Sequence, residues 1–206
     1  QGACRMCMVE VREQGYGQSR LVASCTYVLN HDTEVITESE RIERVRRTLV
    51  MLLQRRAPRN AVLDELARIY QAPELPALEG EPRDCILCGQ CIFACQEMGK
   101  SAIWRMFRGI DKRIATPYDE PSADCMGCAA CAQVCPTNAI KVEESQTRRR
   151  IWNKEFNLVV CERCGKPYAT EEQLEELRRL NAPSADNLCE SCRKKKLAYT
   201  VKNYQA

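Results

Sequence analysis

Two stretches of this 206-residue chain carry the same comb of cysteines. Residues 84–97 read DCILCGQCIFACQE and residues 124–137 read DCMGCAACAQVCPT, each spaced C-x2-C-x2-C-x3-C. Thiolates set this closely on one loop chelate a metal far more readily than they pair as disulfides. A further C-x2-C, Cys4 and Cys7, opens the chain, with Cys25 beyond it. Cys161, Cys164, Cys189 and Cys192 form two more pairs near the end. These three groups account for all 15 cysteines, so no free thiol is left to act as a nucleophile. The chemistry on offer is metal–thiolate chemistry.

The comb resembles the bacterial ferredoxin signature, in which the fourth cysteine of each run ligates the other of two clusters. Reach explains the crossing: three thiolates on one loop cap three corners of a cube, and the fourth sits on the following helix. The resemblance implies one [4Fe–4S] cluster on Cys85, Cys88, Cys91 and Cys135, and a second on Cys95, Cys125, Cys128 and Cys131. The tails QEMGKSAI and PTNAI both end in Ala-Ile, so the repeat extends past the cysteines. Gln96 stands where the second copy has Pro136, a turn-shaping position and not a ligand. A pair of zinc sites is the alternative, and eight cysteines in a duplicated pattern weigh against it.

GACRMCMVEV, then SC, then T-x-S-E-R-I-x-x-x-R is similar to the [2Fe–2S] domain of the large iron–sulfur subunit of respiratory complex I. The same module occurs in the small iron–sulfur subunits of NAD-linked hydrogenases and formate dehydrogenases. The resemblance covers residues 1–57 and 84–142. It implies a [2Fe–2S] cluster on Cys4, Cys7 and Cys25, with the fourth ligand upstream of Gln1. That family also carries a cluster of one His and three Cys after the helix. Here QRRAPRNAVLDELARIY stands there with neither residue type, so that cluster is expected to be absent. His31, the single histidine, lies in a turn-like NHDT and reads as a surface residue.

Cys161, Cys164, Cys189 and Cys192 fit a Cys4 zinc ribbon, with Gly165 permitting the positive-φ turn of the first knuckle. A third [4Fe–4S] cluster is the rival. Zinc would make this end a staple or docking module, since it has no redox chemistry.

The elements around these cysteines divide the chain into four pieces. Residues 1–36 alternate apolar and polar in MVEV and RLVASCTYVL about a Gly-rich loop, giving strand, hairpin loop, strand. Residues 37–83 are a helical connector and linker. Thr37-Glu38-Ser39-Glu40 reads as a capping box with Thr37 as N-cap. It opens a helix to about Arg56, with Ile42, Val45, Leu49, Leu52 and Leu53 on one face. A second helix spans about 61–70, and APELPALEGEPR (72–83) reads as a linker. Residues 84–157 hold the two combs and an insertion, WRMFRGIDKRIATPY, of hairpin character. Residues 158–206 hold the ribbon, with Thr170-Glu171-Glu172-Gln173 capping a helix inside it. The fold class expected is α+β: the C-terminal part of a β-grasp [2Fe–2S] domain, a two-cluster ferredoxin-like βαβ repeat, and a zinc-ribbon-like tail.

Net charge is +3, which gives no ground for a nucleic-acid partner. TRRR (147–150) and RKKK (193–196) read as solvated surface. No run of 18 apolar residues is present, and clustered reduced thiols point to a cytoplasmic setting. No GxGxxG, P-loop or Ser/His/Asp arrangement occurs, so the chain reads as a relay and not a catalyst. The expected role is an electron-transfer subunit of a multisubunit oxidoreductase. By resemblance it would stand between a flavin- and NAD(P)-binding diaphorase-type subunit and a catalytic subunit, such as a hydrogenase, formate dehydrogenase or other low-potential reductase. An independent ferredoxin or regulatory adaptor is the alternative.

Overall fold

The computed structural model describes residues 2–13, 17–58, 60–76, 83–180 and 187–204. The expected hairpin loop at 13–19 and linker at 72–83 fall partly outside these residues. The chain mixes helix and sheet and divides into two compact units, each discontinuous in sequence. The first comprises Gln1–Cys91, Phe107–Ile114 and Val134–Ala139; the second comprises Ile92–Met106, Ala115–Gln133 and Ile140–Ala206.

In the first unit, β1 (Met8–Glu13) lies between β2 (Arg20–Ala23) and β3 (Thr33–Ile36), antiparallel to both. The alternation of the sequence marks β1 and β2. It overstates β2, because the chain turns after Ala23, whose carbonyl accepts from the backbone N–H groups of Thr26 and Tyr27, both at 3.0 Å. β3 is a four-residue edge strand with little alternation to announce it.

Helix α1 (Glu40–Arg56) is capped by Ser39, not Thr37. Ser39 is extended, at φ −159, and its hydroxyl accepts from the N–H of Ile42 at 3.2 Å. The same hydroxyl donates to Glu10, a buried carboxylate on β1 that also accepts from the Ser19 hydroxyl at 2.6 Å. These two hydroxyls hold the Glu10 carboxyl below its ordinary value. The cap is therefore the residue that can bond both the helix start and the sheet. Glu40 does not reach back to the cap; it pairs with Arg44 at 2.8 Å. Ile42 and Val50 are fully buried, while Leu52 is 50% exposed. Leu52 lies ten residues beyond Ile42, which at 3.6 residues per turn takes it off the buried face.

Ala57 closes α1, its N–H donating to the Leu53 carbonyl. Asn60 then caps α2 (Ala61–Tyr70), accepting from the N–H groups of Val62 and Leu63. Leu63 is the buried anchor of α2.

The first comb runs into helix α3 (Gln90–Glu97), and its insertion forms β4 (Trp104–Met106) and β5 (Arg113–Ala115), which make a two-stranded sheet. The second comb runs into the short helix α4 (Ala130–Gln133). In the second unit, β6 (Glu143–Glu144), β7 (Arg148–Ile151), β8 (Lys154–Val160) and β9 (Pro167–Thr170) form an antiparallel sheet in sequence order. Helix α5 (Glu171–Arg179) packs on β8 and β9, and α6 (Glu190–Tyr204) follows. Phe156, Leu158, Ala169 and Leu174 form the apolar centre of this unit.

The βαβ repeat expected from the combs takes a different form. A strand does follow each copy, but β4 pairs with β5 of the insertion while β6 pairs with β7. The two copies thus contribute to separate sheets. The run at 147–150 is not wholly solvated either: Arg149 is 8% exposed, and its guanidinium holds Glu144 at 2.5 Å. His31 is exposed, as expected, with its Nε2 3.4 Å from Glu13.

Replacing Ser39 with alanine removes a helix cap and a partner of a buried carboxylate. The expected loss is about 1–2 kcal/mol, read as a lower urea midpoint for loss of helical circular dichroism. Ser39→Thr, which keeps the hydroxyl, is expected to retain most of it.

Candidate metal centres

The two combs share one backbone geometry. Leu87 and Gly127, the last spacers of each first C-x2-C, have φ +55 and +69; Gly89 and Ala129, two residues on, have φ +79 and +59. These left-handed residues turn backbone N–H groups onto sulfur. Leu87 N–H donates to Cys85 Sγ at 3.4 Å, and the N–H groups of Gln90 and Gly127 do the same for Cys88 and Cys125. Such donors favour the thiolate, and burial opposes it. Burial prevails, pushing the thiols of Cys85, Cys88 and Cys125 above their ordinary value, and that of Cys131 to about 11. Sulfurs so placed need a cation to be held as thiolates, the condition a metal centre meets.

The two units divide the comb cysteines. Cys85, Cys88, Cys91 and Cys135 fall in the first, and Cys95, Cys125, Cys128 and Cys131 in the second. In the second unit, Cys95, Cys125, Cys128 and Cys131 line one cleft, walled by apolar side chains such as Ile103 and Ile151. Cys128, Cys125 and Cys95 all lie near enough to Cys131 to oppose its ionisation. In the first unit, the charge of Cys135 acts on both Cys85 and Cys88. In the second unit, four cysteines on one cleft, an apolar wall and backbone donors fit an iron–sulfur cluster in composition.

Each comb is gripped by neighbours that the sequence did not single out. In the first unit the grip is helical. Arg56, the last residue of α1, donates to the carbonyls of Cys85 at 3.0 Å and Lys112 at 2.7 Å. Asn60 caps α2 with its oxygen and donates from Nδ2 to the Thr137 carbonyl at 2.9 Å, two residues beyond Cys135. Ala139 N–H donates to Cys135 Sγ at 3.3 Å. In the second unit the grip comes from the sheet. Lys154 on β8 donates to the carbonyls of Cys125 at 2.8 Å and Ser122 at 3.2 Å. Thr170 donates to Met126 O at 2.5 Å, and Arg149 on β7 to Gly127 O at 2.7 Å. Cys85 and Cys125 hold the same place in the two copies, and each has its carbonyl bound by a cation. Trp152 adds a side-chain donor, its indole Nε1 lying 3.4 Å from Cys131 Sγ. Of these, only Asn60 before an apolar helix and Thr170 in a capping box carry a sequence signal, and that signal is for capping.

Gly127 is the tightest point. A Cβ there would lie 2.6 Å from Phe156 Cγ and 2.9 Å from Thr170 Cγ2. Only glycine lets the comb backbone rest on the sheet's core.

At the N-terminal end, Cys7 precedes β1 and Cys25 follows β2. The Met8↔Ala23 register brings them together, with Ser24 N–H on Cys7 O at 3.1 Å. The two thiols share a hydrogen bond that holds Cys25 above its ordinary value. Cys4, on the preceding loop, is close enough for its charge to act on Cys88.

The last four cysteines converge fully: the sulfurs of Cys161, Cys164, Cys189 and Cys192 all lie within 4.8 Å of one another. Cys161 and Cys164 sit on the knuckle between β8 and β9, closed by Gly165 at φ +69 with its N–H on Cys161 O at 2.8 Å. Cys189 and Cys192 arrive at the start of α6. Cys189 N–H donates to Cys161 Sγ at 3.3 Å, and this bond leads the effects that bring the Cys161 thiol down to about 6.

Residues 81–142 match the family model described as a 4Fe-4S dicluster domain. The chain is 26% identical over 188 residues to the NADPH-Fe(3+) oxidoreductase subunit alpha of Geobacter sulfurreducens, covering 79% of this chain and 22% of that protein. It is 28% identical over 169 residues to the NADP-reducing hydrogenase subunit HndD of Solidesulfovibrio fructosivorans, covering 69% of this chain and 28% of that protein. It thus spans under a third of the length of either relative. Among solved structures, a chain of an NAD+-reducing [NiFe]-hydrogenase in the H2-reduced state superposes with a TM-score of 0.54 at 27% identity, covering 68% of each chain.

Gly127→Ala and Gly165→Ala both place a side chain at positive φ, but only the first meets other atoms, since Gly165 faces open space within 4 Å. Gly165→Ala is expected to cost about 1–2 kcal/mol and Gly127→Ala about 1–3 kcal/mol more. Thermal melts of the two variants give the comparison.

Proposed function

The chain carries a 4Fe-4S dicluster domain, and we propose that it is an electron-transfer subunit of a multisubunit oxidoreductase linked to a nicotinamide cofactor. The observation that carries the reading is the crossed division of comb cysteines, with Cys95 lining the cleft of Cys125, Cys128 and Cys131. Iron–sulfur clusters bound there would supply one-electron transfer. Cys85, Cys88, Cys91 and Cys135 would hold one [4Fe–4S] cluster, and Cys95, Cys125, Cys128 and Cys131 the other. Cys4, Cys7 and Cys25 would give three ligands to a [2Fe–2S] cluster.

The residues around the combs have separable tasks. Arg56 and Lys154 place positive charge against the first cysteine of each comb, which favours electron uptake. Asn60 and Thr170 fix the loops, so that little reorganisation accompanies it. The apolar wall of the cleft excludes water.

Cys161, Cys164, Cys189 and Cys192 would hold a zinc ion. Four Zn–S bonds of about 2.3 Å in a tetrahedron put the sulfurs roughly 3.8 Å apart, and Cys164 Sγ lies 3.7 Å from Cys189 Sγ. A cube, with four irons inside its sulfurs, spreads its ligands wider. Its role is to brace the sheet that grips the second comb.

The partners are a flavin- and NAD(P)-binding diaphorase-type subunit and a catalytic redox subunit, in a cytoplasmic complex. Among the described residues no helix is long and apolar enough to cross a membrane.

Metal analysis of the complex is expected to assign to this chain roughly ten irons and one zinc, two irons from [2Fe–2S] and eight from two cubes. Roughly fourteen irons without zinc would mean a third cube. The isolated chain is expected to be reduced by dithionite and not by NAD(P)H until the flavin subunit is added. Direct reduction by NAD(P)H would contradict a pure relay.

A further inference from the structure

The hairpin between β7 and β8 turns on only two residues, Trp152 and Asn153, since Ile151 pairs with Lys154. Both have positive φ, +52 and +58. This is the signature of a type I′ turn, whose first position favours Asn, Asp or Gly. An aromatic residue in the left-handed region is strained, and such strain persists where the surrounding structure imposes it. A less strained residue would make the same turn, so the hairpin by itself gives no reason for tryptophan.

The reason lies in where the indole points. Trp152 is half-buried and lines the cleft shared by Cys95, Cys125, Cys128 and Cys131. Its Nε1 lies 3.4 Å from Cys131 Sγ, the most deeply placed of the comb sulfurs in that cleft. The indole N–H is a donor only, with no acceptor role to compete. Among the described contacts of the comb sulfurs it is the side-chain N–H; the others are backbone N–H groups, together with the Thr137 hydroxyl at 3.7 Å from Cys135 Sγ.

We propose that Trp152 sets the reduction potential of the centre held by Cys95, Cys125, Cys128 and Cys131, by donating its indole N–H to the sulfur of Cys131. The inference rests on the relay reading of that site. One-electron reduction of a cube adds one negative charge, with no bond broken and no proton required. The added charge is shared with the cysteine sulfurs, so a donor on sulfur stabilises the reduced form more than the oxidised one. Trp152 therefore raises the potential of this station and leaves that of the Cys85 station alone. The strain of the turn is the consequence of holding the donor at the sulfur.

The test is a redox titration of the holoprotein followed by EPR, with dithionite as reductant. Trp152→Phe keeps the ring and removes the donor. Its second-comb signal is expected to titrate lower by about tenfold in the reduction equilibrium, or about 59 mV for a one-electron couple, with the first-comb signal unmoved. Asn153→Gly, which eases the turn and keeps the indole, is expected to leave both potentials in place. An unchanged second-comb potential in Trp152→Phe, with the cluster intact, overturns the inference while leaving the relay standing. Should Trp152→Phe lose its cluster, wild-type chain labelled with 15N-indole, in a Trp104→Phe background, decides. Hyperfine coupling of that nitrogen to the reduced second cluster supports the hydrogen bond, and its absence overturns it. A wild-type holoprotein with no second [4Fe–4S] signal overturns both readings.

Discussion

Three cysteines on one tight loop cannot enclose a centre with four corners. The fourth sulfur has to come from elsewhere in the chain, and the backbone between must be held still enough to bring it home. Much of this architecture follows from that limit. The two combs lie 40 residues apart in sequence (Cys85 and Cys125), yet each compact unit collects three cysteines from one comb and the last cysteine of the other. The exchanged cysteines lie on two of the pieces that make the units discontinuous, Cys135 on Val134–Ala139 and Cys95 on Ile92–Met106.

The two sites meet the positioning requirement by different means. For the first, helices do it: Arg56 ends α1 on the Cys85 carbonyl, and Asn60 begins α2 on the Thr137 carbonyl. One short inter-helix link thus fixes both the comb and the segment carrying Cys135. For the second, a β-sheet does it. Lys154, Thr170 and Arg149 take the carbonyls of Cys125, Met126 and Gly127 in turn. The sheet itself is closed at one end by the Cys161 knuckle, where the sulfurs of Cys161, Cys164, Cys189 and Cys192 come together. Backbone carbonyls are well suited to this duty, since gripping them leaves the sulfurs free for metal.

The two C-x2-C pairs of the C-terminal quartet, whose sulfurs the structure brings together, were legible in the sequence because spacing encodes them directly. So were β1, both connector helices and the Thr170 cap, where periodicity or capping chemistry is strong. The cap of α1 was misplaced at Thr37 because two hydroxyl residues two apart offer the same local signal. The tie to Glu10, 29 residues away, selects Ser39. The pairing of the strands after each comb, β4 with β5 and β6 with β7, was not legible because pairing is a non-local choice that no single window contains. Arg149 read as solvated for the same reason: nothing local says that a carbonyl of residue 127 will meet it. Trp152 is the clearest case, an aromatic residue in a hairpin turn whose meaning depends on a sulfur 21 positions earlier.

The central claim is that Cys95 serves the comb at 125–131 and not its own. Cys95→Ser in the holoprotein, examined by EPR after reduction, tests it most directly. The account predicts that the signal of the Cys125, Cys128 and Cys131 centre is altered or lost, while that of the Cys85, Cys88 and Cys91 centre is unchanged. Alteration confined to the Cys85 centre would contradict it.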